Sequence, residues 1–221
     1  MIVLIVGGSS GLGLELAKQL ASQGNKVIIS GRHNPKQEYI EFHKFNLTTG
    51  NNLTATVTSF IEGLPKIDMF VYAAGYYQEG TIVDLSQEEI KNMLNVGIHA
   101  PVWLIKELLT KQNNLNEFVA ITSTSHWTPR EKEPIYTAVK AALGHFANSI
   151  SLDKRVKKTL VVGPAGMRTN FWSGIKRDDL NEMLEPTWVA EQIIKLLKDN
   201  YQYRFAKIMR QPPRVVIEET R

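Results

Sequence analysis

The feature that most restricts this chain is its opening. An apolar, β-branched run over 2–6 ends directly in Gly7-Gly8-Ser9-Ser10-Gly11-Leu12-Gly13 and passes into a helical pattern. A short continuous apolar run suits a strand covered on both faces of a parallel sheet. From 12 to 23 the residues Leu12, Leu16, Ala17 and Leu20 recur at helical spacing, and Gly24 supplies the stop. Strand, glycine turn and helix form a βα unit, which needs further units to complete a sheet. Glycine permits the tight turn, and the helix N-terminus offers unpaired N–H groups and partial positive charge to a pyrophosphate. The spacing is Gly-x-x-x-Gly-x-Gly, neither Gly-x-Gly-x-x-Gly nor the Gly-Lys-Ser/Thr of nucleotide triphosphatases, so a tight connection without a ligand is the competing reading.

The alternation continues along the chain. Strands are expected over 27–30, 41–45, 67–74, 117–122, 159–162 and 203–209, and helices over 53–64, 86–109, 136–152 and 186–199. The helix over 86–109 opens on a Ser86/Glu89 capping box and is expected to kink at Pro101. Between the second and third strands the connection leaves room for no more than a stub of helix, and the residues beyond 209 read as a polar tail broken by Pro212 and Pro213. The pattern predicts one domain over 1–221, a doubly wound, Rossmann-like α/β fold with three αβα layers and a parallel sheet of about seven strands. Ligands of such sheets bind beyond the carboxyl ends of the strands.

Composition agrees with a globular chain. The 221 residues are 43% apolar and 22% charged, enough to bury a sizeable core, with no repeat or low-complexity segment. The absence of cysteine excludes a disulfide framework, thiolate metal ligation and a cysteine nucleophile. The five histidines show no paired ligand spacing, so no metal is expected. No leader precedes the first strand and no run approaches the roughly 20 apolar residues of a membrane span. A cytoplasmic protein without a membrane partner is therefore expected. The net charge is +4 with scattered basic residues, and no nucleic-acid-reading motif accompanies it, so no nucleic-acid partner is expected.

The chemistry gathers after the strands. Ser30-Gly31-Arg32 ends the second strand, where a carboxylate would bind a ribose 2′-hydroxyl and repel a 2′-phosphate. Arg32 instead favours a phosphate by charge-assisted bonds worth about 1.5–3 kcal/mol, which predicts NADP over NAD. Tyr136 and Lys140 lie four apart on one helical face. An ammonium there favours the phenolate, and moving a tyrosine pKa from about 10 toward neutrality by two or three units takes about 3–4 kcal/mol, which a lysine together with an oxidised nicotinamide could supply. Ser123, after the fifth strand, can hydrogen-bond the same substrate oxygen. The three groups can exchange a proton with a carbonyl or alcohol while a cofactor exchanges a hydride.

The glycine turn, Asn95 after the fourth strand, Ser123 after the fifth, and Tyr136 with Lys140 thirteen residues on, in that order, resemble the single-domain branch of the short-chain dehydrogenase/reductase family. The resemblance runs from Ile2 to about Phe171. It implies that Gly7, Gly11 and Gly13, with Ser9, Ser10 and Leu12, form a cofactor turn. It makes Asn95, Ser123, Tyr136 and Lys140 a catalytic tetrad, with tyrosine as acid or base, serine orienting the substrate oxygen, lysine tuning the tyrosine and holding the nicotinamide ribose, and Asn95 anchoring a relay water. Asn46 stands where an aspartate commonly faces the adenine. Ala74 and Gly75 close a Tyr-Ala-Ala-Gly segment in place of the family's Asn-Asn-Ala-Gly. Pro164, Gly166 and Thr169 resemble the segment beside the nicotinamide, although Ala165 replaces the glycine of its Pro-Gly pair.

The resemblance also implies a homo-oligomer, dimer or tetramer, through the helix that carries Ala138, Ala141, Ala142, Gly144 and Ala147. Trp127, Phe171 and Trp172 follow strands five and six and are candidates for an apolar substrate wall. The expected activity is NADP-dependent interconversion of a small carbonyl and its alcohol. A non-catalytic NADP sensor is the alternative, and an epimerase or dehydratase the third reading. A sensor has no need of Ser123, Tyr136 and Lys140.

Overall fold

The computed structural model describes residues 1–48, 52–175 and 177–221. Its strands are β1 (Ile2–Val6), β2 (Lys26–Gly31), β3 (Ile40–Lys44), β4 (Met69–Tyr72), β5 (Leu115–Ile121), β6 (Val156–Pro164), β7 (Tyr203–Arg210) and β8 (Pro213–Thr220). They form one sheet in the order β3-β2-β1-β4-β5-β6-β7-β8. The first seven run parallel, and β8 returns antiparallel along β7. The order reverses between β1 and β4, which opens a crevice over their carboxyl ends.

The apolar runs read as strands covered on both faces are covered on both faces. Leu4, Val6, Phe70, Tyr72, Phe118 and Ala120 point into one core with α2 (Leu53–Glu62), α4 (Ala100–Gln112) and α5 (Pro134–Ile150). Val3, Ile5, Met69, Val71, Val119 and Ile121 point into the other, with α1 (Gly11–Ser22) and α6 (Pro186–Leu196). Each fully buried aliphatic or aromatic side chain contributes about 1.5–3 kcal/mol. A one-residue slip of a central strand would exchange its two faces and mismatch both layers, so the register is strongly set. Val6 lies level with Ser30 and with Tyr72, and Ile121 with Val162, so the turns after β1, β2, β4, β5 and β6 open on one edge.

Two expectations need correction. The tail beyond 209 is a strand: Val215, Val216 and Ile217 pair with Ile208, Lys207 and Ala206. Pro213 is tolerated because it opens an edge strand, where its missing N–H interrupts no central ladder. The helix over 86–109 is two helices, α3 (Gln87–Leu94) and α4, joined by a π-helical turn over Asn95–His99. Pro101 sits in the first turn of α4, a position that tolerates a missing N–H, so the irregularity belongs to the π-turn. Gly97 lies within that turn, where a Cβ would come 2.4 Å from the Val139 side chain, so α5 crosses the turn at close range. The Tyr72 hydroxyl donates to the Val96 carbonyl of the same turn. The Ser86/Glu89 capping box is present, and no helix separates β2 from β3, as the short connection requires.

Candidate active site

The turn after β1 is built on close backbone approach. Gly7 has φ +88°, and a Cβ there would come 2.4 Å from the Ala74 amide nitrogen, so any side chain would drive the β1 and β4 turns apart. The Gly7 and Gly8 amides donate to the Ser30 carbonyl at 3.0 and 3.1 Å, which pins the turn to the end of β2. Ser10 caps α1 in extended conformation without a side-chain bond to the helix. The first residues of α1, Gly11, Leu12 and Gly13, border a cavity of about 960 Å³ over the strand ends.

Sixteen of the seventeen residues proposed from sequence for catalysis or cofactor contact border that cavity. They are Gly7, Ser9, Ser10, Gly11, Leu12, Gly13, Arg32, Asn46, Ala74, Gly75, Ser123, Tyr136, Lys140, Pro164, Gly166 and Thr169. Asn95 does not. It opens the π-turn, is 8% exposed, and borders a shallow depression with Ile98 and His99. Its Nδ2 is buried without a hydrogen-bond partner among the described residues, while Oδ1 lies 3.4 Å from His99 Nδ1. Arg32 is exposed at the cavity edge and has no ion pair among the described residues. Asn46 accepts from the Thr48 amide and hydroxyl at 3.1 and 2.9 Å.

Ser123 follows β5 in extended conformation. Its Oγ accepts from the Ser125 amide at 3.2 Å and lies 3.3 Å from the Ser125 hydroxyl. Lys140 is buried and donates from Nζ to the Ile121 carbonyl at 3.1 Å, with Nζ 5.7 Å from the Tyr136 ring centroid. Burial brings the Lys140 pKa down to about 8. The expected depression of Tyr136 by Lys140 is not what this chain does by itself. Burial, reinforced by the Glu133 carboxylate, pushes the phenol well above its usual range, and the neighbouring Ser123 hydroxyl and Arg130 pull only partly the other way. Desolvation wins because Tyr136 lies deep in the wall, 8% exposed, and a phenolate there loses its hydration.

A second cluster was missed from sequence. Glu133 Oε2 accepts from the Ser125 hydroxyl at 2.9 Å and from Arg130 Nη1 at 3.1 Å, and Glu133 Oε1 accepts from the Tyr77 hydroxyl at 3.3 Å. Arg130 Nη2 also donates to Thr124 Oγ1 at 2.8 Å. Glu133 lies one helical turn before Tyr136, and Tyr77 follows directly from the β4 turn. Both spacings were readable signals for this corner. Phe171 and Trp172 border the cavity as expected, whereas Trp127 does not; it packs against Gly163, Phe205 and Lys207. The small residues of α5 divide. Gly144 and Ala147 are buried within the chain, Gly144 directly beneath the His126 ring, while Ala138 is exposed and Ala141 and Ala142 are half-buried. No group of three or more metal-binding side chains occurs among the described residues, and no described helix is long and apolar enough to cross a membrane.

A doubly wound sheet with a glycine turn at its switch point, and a serine, tyrosine and lysine gathered in the same crevice, describes a Rossmann-type oxidoreductase. The short chain dehydrogenase family model matches residues 1–180, and the chain belongs to that family of NAD(P)-dependent dehydrogenases and reductases. It is 27% identical to an uncharacterised oxidoreductase of Staphylococcus saprophyticus, over 89% of this chain and 91% of that protein. It is also 27% identical to carbonyl reductase family member 4 of Xenopus laevis, over 90% and 92%. Among solved structures, a short chain dehydrogenase of Shigella flexneri complexed with NADP has the same fold at TM-score 0.80 and 19% identity, covering 96% of this chain and 97% of that one.

Proposed function

We propose that this protein interconverts a small carbonyl compound and its alcohol with NADP(H), using Tyr136 as the proton-transfer group. The observation that carries the proposal is the convergence of Ser123, Tyr136 and Lys140 on the cavity that the glycine turn opens. The residues fit a dinucleotide. A Cβ at Gly13 would come 2.2 Å from the Gly7 carbonyl oxygen, so the turn is shaped for close backbone approach rather than filled by side chains. The amides from Ser9 to Gly13 would hold the pyrophosphate, Arg32 the 2′-phosphate, and Asn46 the adenine. Ala74, Gly75, Pro164, Gly166 and Thr169 would surround the nicotinamide, with Lys140 on its ribose. A nicotinamide bound there would supply or accept the hydride at the substrate carbon.

The chain's own residues handle the oxygen. Burial keeps the Tyr136 phenol protonated, which suits it to donate a proton to the oxygen of a carbonyl being reduced. The Ser123 hydroxyl holds and polarises the same oxygen. Asn95, in the π-turn that α5 crosses, has a buried amide nitrogen with no partner among the described residues, which suits it to anchor a water. Phe171 and Trp172 favour a substrate with an apolar body. NADP-complexed relatives of the same fold and the carbonyl reductase among the similar proteins support this reading. We further expect a homo-oligomer that uses the outward face of α5 around Ala138.

The test is a screen of purified protein with NADPH against aldehydes, ketones and quinones, following loss of NADPH absorbance. Turnover abolished by Tyr136→Phe is the expected result. Tight NADPH binding without turnover of any carbonyl would reject the proposal in favour of a sensor.

A further inference from the structure

We propose that the substrate is a flat aryl carbonyl, and that Tyr77, held in place by Glu133, is the residue that sets the shape of the slot beside Tyr136. The inference rests on the carbonyl reading above and assigns the body of the substrate rather than its reacting group. Of the rings that border the cavity, four from three separate parts of the chain meet one another: Tyr77 after β4, Tyr136 in α5, and Phe171 and Trp172 after β6. The Tyr77 ring meets Tyr136 at 5.0 Å and 89°, and Trp172 at 5.5 Å and 73°. Phe171 and Trp172 meet at 5.1 Å and 89°. Edge-to-face contacts at these separations are the arrangement ring quadrupoles prefer, so the rings brace one another. The Arg177 guanidinium lies 4.5 Å from the Trp172 ring centroid and braces that ring further.

Tyr77 is fixed at its other end as well. It is 7% exposed, and its hydroxyl donates to a Glu133 carboxylate that Ser125 and Arg130 already hold. The Glu133 side chain is itself only 13% exposed. Ring packing and the hydroxyl tie together constrain both torsions of the tyrosine, which makes Tyr77 a wall and not a flap. The tie also joins Tyr77 to the start of the helix that carries Tyr136, so the slot width is set relative to the reacting phenol. A guest whose carbonyl oxygen sits between Ser123 and Tyr136 occupies the cavity that Tyr77, Phe171 and Trp172 also border, next to the rings that meet Tyr136. Such rings attract a flat π-face beyond what burial alone supplies, which corresponds to about a two- to tenfold preference over a puckered saturated ring of the same size. Glu133 acts through Tyr77 and is a positioning residue.

Two readouts test this, one without turnover. The first is kcat/KM with NADPH for benzaldehyde against cyclohexanecarbaldehyde. The second is calorimetric binding of benzamide against cyclohexanecarboxamide to protein loaded with NADP. The aryl member is expected to win about two- to tenfold in both. Tyr77→Ala should bring both ratios close to one. Glu133→Gln, which keeps the ring but weakens its tie, should lower them partway by raising KM for the aryl aldehyde more than for the cyclohexyl one. An aryl preference at or below one in the unmodified protein overturns the inference, as do ratios that neither substitution changes. Preferential benzamide binding without reduction of any aldehyde would sustain the aryl slot and reject the carbonyl reading. Reduction of both aldehydes at equal efficiency would do the reverse.

Discussion

Arg32→Asp should reverse the cofactor preference. Arg32 stands exposed just beyond β2, borders the cavity and has no ion pair among the described residues, so its guanidinium is open to a 2′-phosphate. A charge-assisted bond of that kind stabilises binding by about 1.5–3 kcal/mol. At physiological ionic strength the Debye length is about 8 Å, so an exposed group delivers the lower end of that range, about tenfold in affinity. Aspartate at the same place adds repulsion of about 1 kcal/mol at contact distance in water, a further factor of about five. It also offers an acceptor to the 2′-hydroxyl of NADH. The ratio of kcat/KM for NADPH over NADH should therefore fall by about 50-fold, more steeply at low salt. The assay is initial rates with both nucleotides and one aldehyde at low and high ionic strength. An unchanged ratio at low salt, in a variant that still binds NADH, would falsify the NADP assignment and leave Arg32 a solvated loop residue.

Three further outcomes follow from the same structure. Tyr136→Phe should lower kcat by about 10²- to 10⁴-fold while NADPH affinity, read by fluorescence, is retained; comparable loss of both would mark the tyrosine as structural. The Lys140 pKa is about 8 in the folded protein against 10.5 for an unperturbed lysine. At this site the unfolded chain then binds more protons between those values, so Lys140 by itself adds about 3 kcal/mol to the unfolding free energy as pH rises across the window, opposed near its upper end by Tyr72, Tyr77, Tyr136, Tyr201 and Tyr203, which burial holds protonated in the folded chain. The difference in unfolding free energy between the parent and Lys140→Met, from denaturation curves, should rise by about 3 kcal/mol from the lower to the upper end of the window, the tyrosine contributions cancelling, and an unchanged difference would assign the effect to another group. Tyr72→Phe removes the donor to the buried Val96 carbonyl and should cost about 1–3 kcal/mol, seen as a lower urea midpoint at unchanged slope. An unchanged midpoint would mean that this carbonyl finds another partner.

Much of the architecture was legible because parallel strands buried on both faces leave continuous apolar runs, and the glycines that bring β1 and β4 together leave a mark that no side chain can imitate. The positions of Ser123 and Tyr136 were legible as well, since each follows directly from a strand or helix that the pattern identifies. The π-turn was not legible. Asn95 to His99 carries an ordinary helical pattern, and the extra residue is held there by the close crossing of Val139 at Gly97 and by the Tyr72 hydroxyl, both remote in sequence. Strand β8 was hidden by its prolines, which are harmful in a central strand and harmless at the start of an edge strand.

By itself, the sequence determined the layered α/β sheet, the edge at which its strand ends open, and the side chains brought to that edge, because periodicity and glycine placement are local properties. Only the tertiary structure decided the proton affinities and the ring cluster beside Tyr136. Desolvation of Tyr136 and Lys140 depends on everything packed around them, and the Tyr77–Glu133 tie joins residues 56 apart in the chain. Burial and long-range contact are sums over the whole molecule, and no window of residues contains them.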